Sequence, residues 1–193
     1  LIRKALLLFF CAALAIIMYA CAAAEVKPLY TSDYPLTEDL AYSLSTDFSV
    51  RIPEGWFTSE DNECKCIDLW LIRDDFSATI SFAAIDFLSS GPLNQTQEDV
   101  MKEAVLYSKA QRMAKLQDKF TPYETDEYFK IRGEQYAAYQ YIGDEGLPIR
   151  VVLFSYKGRY FEASAIPTQQ VGSGVVTPAE LFRTQQTVIS SIK

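Results

Sequence analysis

Two cysteines one residue apart, Cys64 and Cys66, are the sharpest chemical feature of this chain. In an oxidising compartment thiols this close tend to pair. Residues i and i+2 of an extended chain lie roughly 6.5–7 Å apart, at the edge of disulfide reach, so a bridge here requires a turn. The expected role is a small staple in the loop 58–65, and a strained, readily reduced bond with a redox role is the sharper alternative. Zinc does not fit, because two sulfurs without histidine leave a tetrahedral sphere half filled.

Histidine is absent from the whole chain. That removes the commonest general base and the commonest zinc and copper ligand, and it makes a Ser-His-Asp or Cys-His mechanism impossible. Carboxylate-only or lysine chemistry survives, but no spacing points to it. The groups Glu60-Asp61-Asn62-Glu63 and Asp74-Asp75 lack the alternating oxygen ligands and closing glutamate of a calcium loop. They are expected to be solvated loop charge, as are Glu124, Asp126 and Glu127. No catalytic residue, metal or cofactor is assigned. Tyr136, Tyr139 and Tyr141, with Tyr156 and Tyr160 on neighbouring strands, form the candidate binding surface, either as a groove for a peptide or glycan or as cross-strand aromatic packing.

Arg3 and Lys4 precede an apolar run from Ala5 to Ala20 that ends at Cys21. A basic start, a short apolar stretch and a small residue before the processing point describe an export signal. The run is shorter than the roughly 20 residues that span a bilayer as a helix. Met18-Tyr19-Ala20-Cys21 resembles a bacterial lipobox in Ala20 and Cys21 and departs from it at Met18 and Tyr19. Lipidation at Cys21 is the expected outcome. Soluble export after Ala22-Ala23-Ala24 and an uncleaved anchor helix are the alternatives. The expected organisation is a signal peptide over 1–20, a tether over 21–44 and one domain over 45–193. Removing residues 1–20 leaves enough chain for one domain with a real core. It also takes away two positive charges, leaving −9 from the formal −7 of the whole chain. Such an acidic chain is not expected to bind nucleic acid, and flat adsorption on anionic lipid would be opposed too, so a covalent tether is needed.

Those groups must be positioned by an α+β body. Phe48 to Ile52 alternates as a strand that ends at Pro53-Glu54-Gly55. Ile67–Ile72 and Ser77–Phe87 follow, the latter with Ala78, Ile80, Phe82 and Ala84 on one side. Thr96 and Asp99 then open a helix over 98–116, with Val100, Ala104, Tyr107, Gln111 and Ala114 as its stripe and Met101, Val105, Met113 and Leu116 beside it. Strand segments at 129–142, 148–156 and 159–166, joined by short turns, predict an antiparallel meander. Thr177-Pro178-Ala179-Glu180 caps a last helix that buries Leu181, Gln185, Val188 and Ile192. The expected fold is α+β, an antiparallel sheet between one long helix and a C-terminal helix.

Phe48-Ser-Val-Arg-Ile-Pro-Glu-Gly-Trp56 resembles the opening strand of the PsbP-like superfamily, which includes the DcrB-like envelope lipoproteins and the Mog-type import factors. Ser77–Asp86, Ile131-Arg-Gly-Glu-Gln-Tyr-Ala-Ala-Tyr139, Lys157-Gly-Arg-Tyr-Phe-Glu-Ala163 and the terminal Phe182–Ile189 helix are similar to its later segments, in the same order. The resemblance implies an α/β/α sandwich and a non-enzymatic role in the assembly or stability of a membrane complex. The metal-binding histidines proposed for photosynthetic members have no counterpart here. The resulting expectation is a lipid-anchored envelope protein that contacts a protein partner and faces the periplasm or exterior. A small-ligand or glycan receptor using the tyrosine surface is the alternative.

Overall fold

A computed structural model describes residues 31–45, 47–59, 66–89, 91, 94–143, 145–168 and 176–193. The apolar leader, Cys21, Cys64, the 60–63 acidic group and the Gly172-Ser173-Gly174 loop lie outside them. Nine strands and two α-helices are described: β1 (Leu36–Tyr42), β2 (Ser49–Pro53), β3 (Trp56–Thr58), β4 (Leu69–Arg73), β5 (Ala78–Ile85), α1 (Gln97–Leu116), β6 (Thr121–Ile131), β7 (Glu134–Ile142), β8 (Pro148–Tyr156), β9 (Arg159–Pro167) and α2 (Pro178–Ser190). A single 3-10 turn, Gln117–Lys119, follows α1.

Seven strands form one antiparallel sheet in the order β3-β4-β5-β9-β8-β7-β6, and β1 and β2 form a two-stranded ribbon. From β5, at the middle of the sheet, α1 carries the chain to the far edge, where β6 begins a meander back. The meander closes when β9 pairs with β5 from Ala78↔Pro167 to Ile85↔Tyr160. Two of its hairpins turn on Arg132-Gly133 and Lys157-Gly158, where both residues of each pair have positive φ. That is the type I′ geometry, whose twist matches the flanking strands.

Period-two alternation divides the side chains between two cores. On β8, Val152 and Phe154 face α2, where they join Phe48, Val50, Phe82, Phe161, Leu181 and Ile189. Val151 and Leu153 face α1 and pack with Met101, Ala104, Val105 and Tyr139. The helices thus cover opposite faces of the sheet, and the α+β sandwich expected from the sequence is the observed fold. Both predicted caps form: Thr96 accepts from the Asp99 amide, and Thr177 from the Glu180 amide.

Three strands depart from the sequence reading. Residues 36–42, read as tether, are β1, and the ordered body starts earlier still: the Tyr34 amide donates to Thr187 on α2 (3.1 Å) and Asp33 pairs with Arg183. β3 resumes directly after the Gly55 turn. The strand read from Phe129 begins at Thr121, so Glu124, Asp126 and Glu127 lie on an edge strand and not in a loop. A register shift between Tyr123 and Glu127, with Glu124 at φ 61°, breaks the alternation that would have announced it.

Candidate functional site

The five candidate tyrosines do not form one surface. Tyr136 and Tyr156 lie on the α2 face with Phe154, whereas Tyr139, Tyr141 and Tyr160 lie on the α1 face. Tyr136, Tyr139 and Tyr141 are buried, and Tyr156 and Tyr160 are half-buried. The reason is parity: 136 and 139 are an odd number of residues apart on one strand, so they point to opposite faces. Their packing is the cross-strand aromatic arrangement, with Tyr136 stacked on Phe129 and Phe154.

What the structure does bring together is a polar cluster beneath α1. Ser108 and Arg112 continue the buried line of Met101, Ala104 and Val105 at helical spacing, and they meet Tyr139, Tyr141, Glu162 and Ser164 from the sheet. Arg112 Nη2 donates to Glu162 Oε1 (2.5 Å) and to Ser164 Oγ (2.7 Å). Its Nε donates to the Tyr139 oxygen (2.8 Å) and its Nη1 to the Tyr141 oxygen (3.3 Å). A carboxylate only accepts, so the Ser108 hydroxyl donates to Glu162 Oε2 (2.8 Å) and takes the Tyr139 proton on its own oxygen (2.8 Å). The result is a closed ring, Arg112 to Tyr139 to Ser108 to Glu162 and back to Arg112.

Burial pushes the Tyr139 phenol well above the ordinary tyrosine value, against the pull of the adjacent Arg112. Arg112 is also buried, which works against its charge, yet Glu162 and the two tyrosines raise its pKa. Neither group therefore exchanges a proton near neutrality. The cluster fixes α1 to β7 and β9, and its geometry suits positioning.

A second buried cation lies on the other face. Arg150, 1% exposed, donates to Gln185 and Gln186 of α2 (3.3 and 3.2 Å) and to Glu127 of β6 (3.0 Å). Gln185 in turn donates to the carbonyls of Arg150 and Ala163. Of the acidic residues expected to be loop charge, Glu127 holds Arg150, Asp126 pairs with Lys109 of α1, and Glu124 accepts from Gln140 (2.8 Å). Asp75 accepts from the Ser77 amide and hydroxyl and pairs with Arg73. Burial disfavours its charge, but these donors hold its carboxyl below the ordinary value.

Sequence reasoning missed both arginines. The available signal at 108 and 112 was a polar continuation of an apolar helical line, hidden because the stripe was centred one residue away, on 100, 104 and 107. Arg150 was a single cation inside an apolar strand. Cys66 is disulfide-bonded, and Cys64 lies outside the described residues. Among the described residues no group of three or more Cys, Asp or Glu is placed to hold a metal ion. No described helix is long and apolar enough to cross a membrane.

An antiparallel sheet faced by a long helix on one side and a terminal helix on the other, with its buried charges internally paired, defines a class of small α+β domains. Within that class the fold is PsbP-like. The solution structure of cyanobacterial PsbP (CyanoP) from Synechocystis sp. PCC 6803 superposes with a TM-score of 0.53 over 80% of this chain and 91% of that one, at 11% identity. A crystal structure from Bacteroides thetaiotaomicron VPI-5482 matches at 17% identity and a TM-score of 0.34, covering 81% of this chain and 48% of its own length. No family model matches the chain, and no curated protein does.

Proposed function

We propose that this chain is an exported, lipid-anchored accessory protein of the cell envelope that supports a membrane complex through protein–protein contacts rather than catalysis. The observation that carries the reading is the PsbP-like fold shared with CyanoP. Two features of the sequence support it: the basic-then-apolar leader ending at Cys21, and the absence of histidine. The geometry agrees in kind. Arg112 and Arg150 are spent on holding helices to the sheet, and Tyr139 keeps its proton at any physiological pH. The DcrB-like lipoproteins are the members that this combination most resembles.

Two measurements test the proposal. Intact mass of the protein extracted from membranes should show acyl modification on Cys21 and loss of residues 1–20; a free terminus near Glu25 would refute the anchor. Crosslinking in intact cells followed by purification should then recover one defined membrane-complex subunit. Turnover of a compound by the purified protein, abolished by replacing one carboxylate or lysine, would refute the accessory role.

A further inference from the structure

The ribbon of β1 and β2 is unusual in which way it faces its apolar residues. A strand with one solvated face normally presents polar side chains outward. In β1 the small residue Ala41 and, just beyond the strand, Ser43 are buried, while Leu40, Tyr42 and Leu44 point out and are 37%, 65% and 58% exposed. These three line one side of a cavity of about 370 Å³, with Trp70 and Asp68 at the start of β4 on the other.

The backbone of the same segment is open at Leu40 and Tyr42, whereas the Leu44 amide donates to the Asp68 carbonyl (2.7 Å) and closes the edge there. The Ser43 amide donates to the Phe48 carbonyl, so 43↔48 is a hydrogen-bonded pair of the ladder. Ser49 bonds away from β1, exchanging both its amide and its carbonyl bond with Lys193 (3.1 Å each), and the Arg51 amide donates to Ser191. Bonded and non-bonded pairs alternate along an antiparallel ladder. Tyr42↔Ser49 and Leu40↔Arg51 are therefore the non-bonded pairs, and the N–H and C=O of Leu40 and Tyr42 point to the outer edge of β1.

Other described edges are blunted against strand addition. β6 carries Pro122, a register shift and charged side chains, and β3 is three residues long. The first half of β1 has its own register shift beside Glu38 and Asp39. From Leu40 to Tyr42 the strand has no such defence, up to the Leu44–Asp68 bond.

We propose that the outer edge of β1 at residues 40–42 is a docking site for an extended segment of a partner protein in which apolar side chains alternate with basic ones. The segment adds a strand to the ribbon, seats an apolar side chain between Tyr42 and Trp70, and sets its cations against Asp39 and Asp68. Charge selects this occupant. The basic side chain on the neighbouring strand, Arg51, is already taken by Glu38 (2.6 Å). A second copy paired antiparallel about Ala41 would set its Glu38 and Asp39 opposite Leu44 and Ser43, beside Asp68, so that acid meets acid, and an anionic lipid surface would meet the same acids. The proposal rests on the accessory-protein reading only in requiring that a protein partner exists.

The probe is a synthetic peptide, Lys-Val-Lys-Leu-Lys-Val-Lys with blocked ends, titrated into the full chain and followed by amide resonances. The expected result is saturable shifts concentrated at residues 40–42 and 68–70. A copy of the peptide N-methylated at alternate residues, and one with Glu for Lys, should both fail to bind. Tyr42→Pro removes the outward N–H and should weaken binding at least ~10-fold. Tyr42→Lys leaves the backbone intact, repels the peptide, and serves as a second variant if the proline perturbs folding. Absence of binding at about 1 mM peptide, or binding indifferent to N-methylation and to both variants, would overturn the proposal. So would a dimer, or binding to phosphatidylglycerol vesicles, that Tyr42→Lys abolishes. A crosslinked partner whose recovery is unchanged by Tyr42→Lys would sink the β1 assignment and leave the accessory role standing.

Discussion

Arg150 of β8 reaches past β7 to Glu127 of β6, Nη2 to Oε2 at 3.0 Å, and so joins the meander's edge strand to the core under α2. A buried cation left without its anion typically costs about 3–5 kcal/mol, reduced here because a quarter of the Glu127 side chain is exposed. Glu127→Leu should therefore lose about 2–3 kcal/mol of stability in urea unfolding, with an unchanged slope. The double change Glu127→Leu with Arg150→Met removes the orphaned charge and should recover at least half of that loss. Equal losses in the single and double variants would show that the pair contributes packing alone.

The Tyr139 phenol, raised by burial in spite of Arg112, makes stability fall in alkali. A group whose folded-state pKa lies above its unfolded value binds its proton more tightly when folded. Its contribution is complete below the unfolded value of about 10 and declines as pH rises beyond it, by at most about 1.4 kcal/mol per pH unit. Tyr139→Phe should cost about 1–3 kcal/mol at pH 7, since Ser108 and Arg112 each lose a partner. It should also flatten the decline between about pH 10 and 12. Some decline remains, because burial raises Tyr136 in the same direction. Parallel stability–pH curves for wild type and variant would contradict the assignment.

The elements legible in the sequence were those whose local chemistry and tertiary role agree. Thr96 with Asp99 and Thr177 with Pro178 and Glu180 announced both helices because the caps are local, and the alternation of Ala78, Ile80 and Phe82 announced β5 because one face meets a core. β1 was not legible, since its outward residues are apolar and its inward ones small. β6 was not, since it is an edge strand with an irregular register. The polar cluster depends on residues from α1, β7 and β9 that only the folded sheet brings within reach, and no spacing along the chain encodes it.

The hairpin turns offer a test of backbone conformation separate from packing. Gly158 has φ 77°, and an added Cβ there would meet nothing within 4 Å. Gly158→Ala should still destabilise by about 1 kcal/mol, through the left-handed backbone alone. Arg132 occupies φ 52° in the β6–β7 turn. Arg132→Asn should raise stability by about 0.5 kcal/mol, because asparagine tolerates that conformation and favours type I′ turns. Thermal melts of the two variants should therefore shift in opposite directions.

Phe48 packs the β1–β2 ribbon against the sheet. Its ring lies 5.6 Å from that of Phe82, 5.7 Å from Phe154 and 5.1 Å from Phe161, and it is 2% exposed. Truncating a buried phenylalanine to alanine costs about 3–5 kcal/mol. The ribbon also has Val50 in the core and the Ser49–Lys193 bonds, but its own two-stranded pairing is marginal in water. Phe48→Ala should thus release the ribbon before the sheet unfolds. Amide exchange at Ala41 and Val50 should rise to the level of local opening, while Val152 and Ala163 at the sheet centre exchange only with global unfolding. Uniform acceleration at all four positions would mean that ribbon and sheet are one cooperative unit, and that Phe48 anchors neither more than the other.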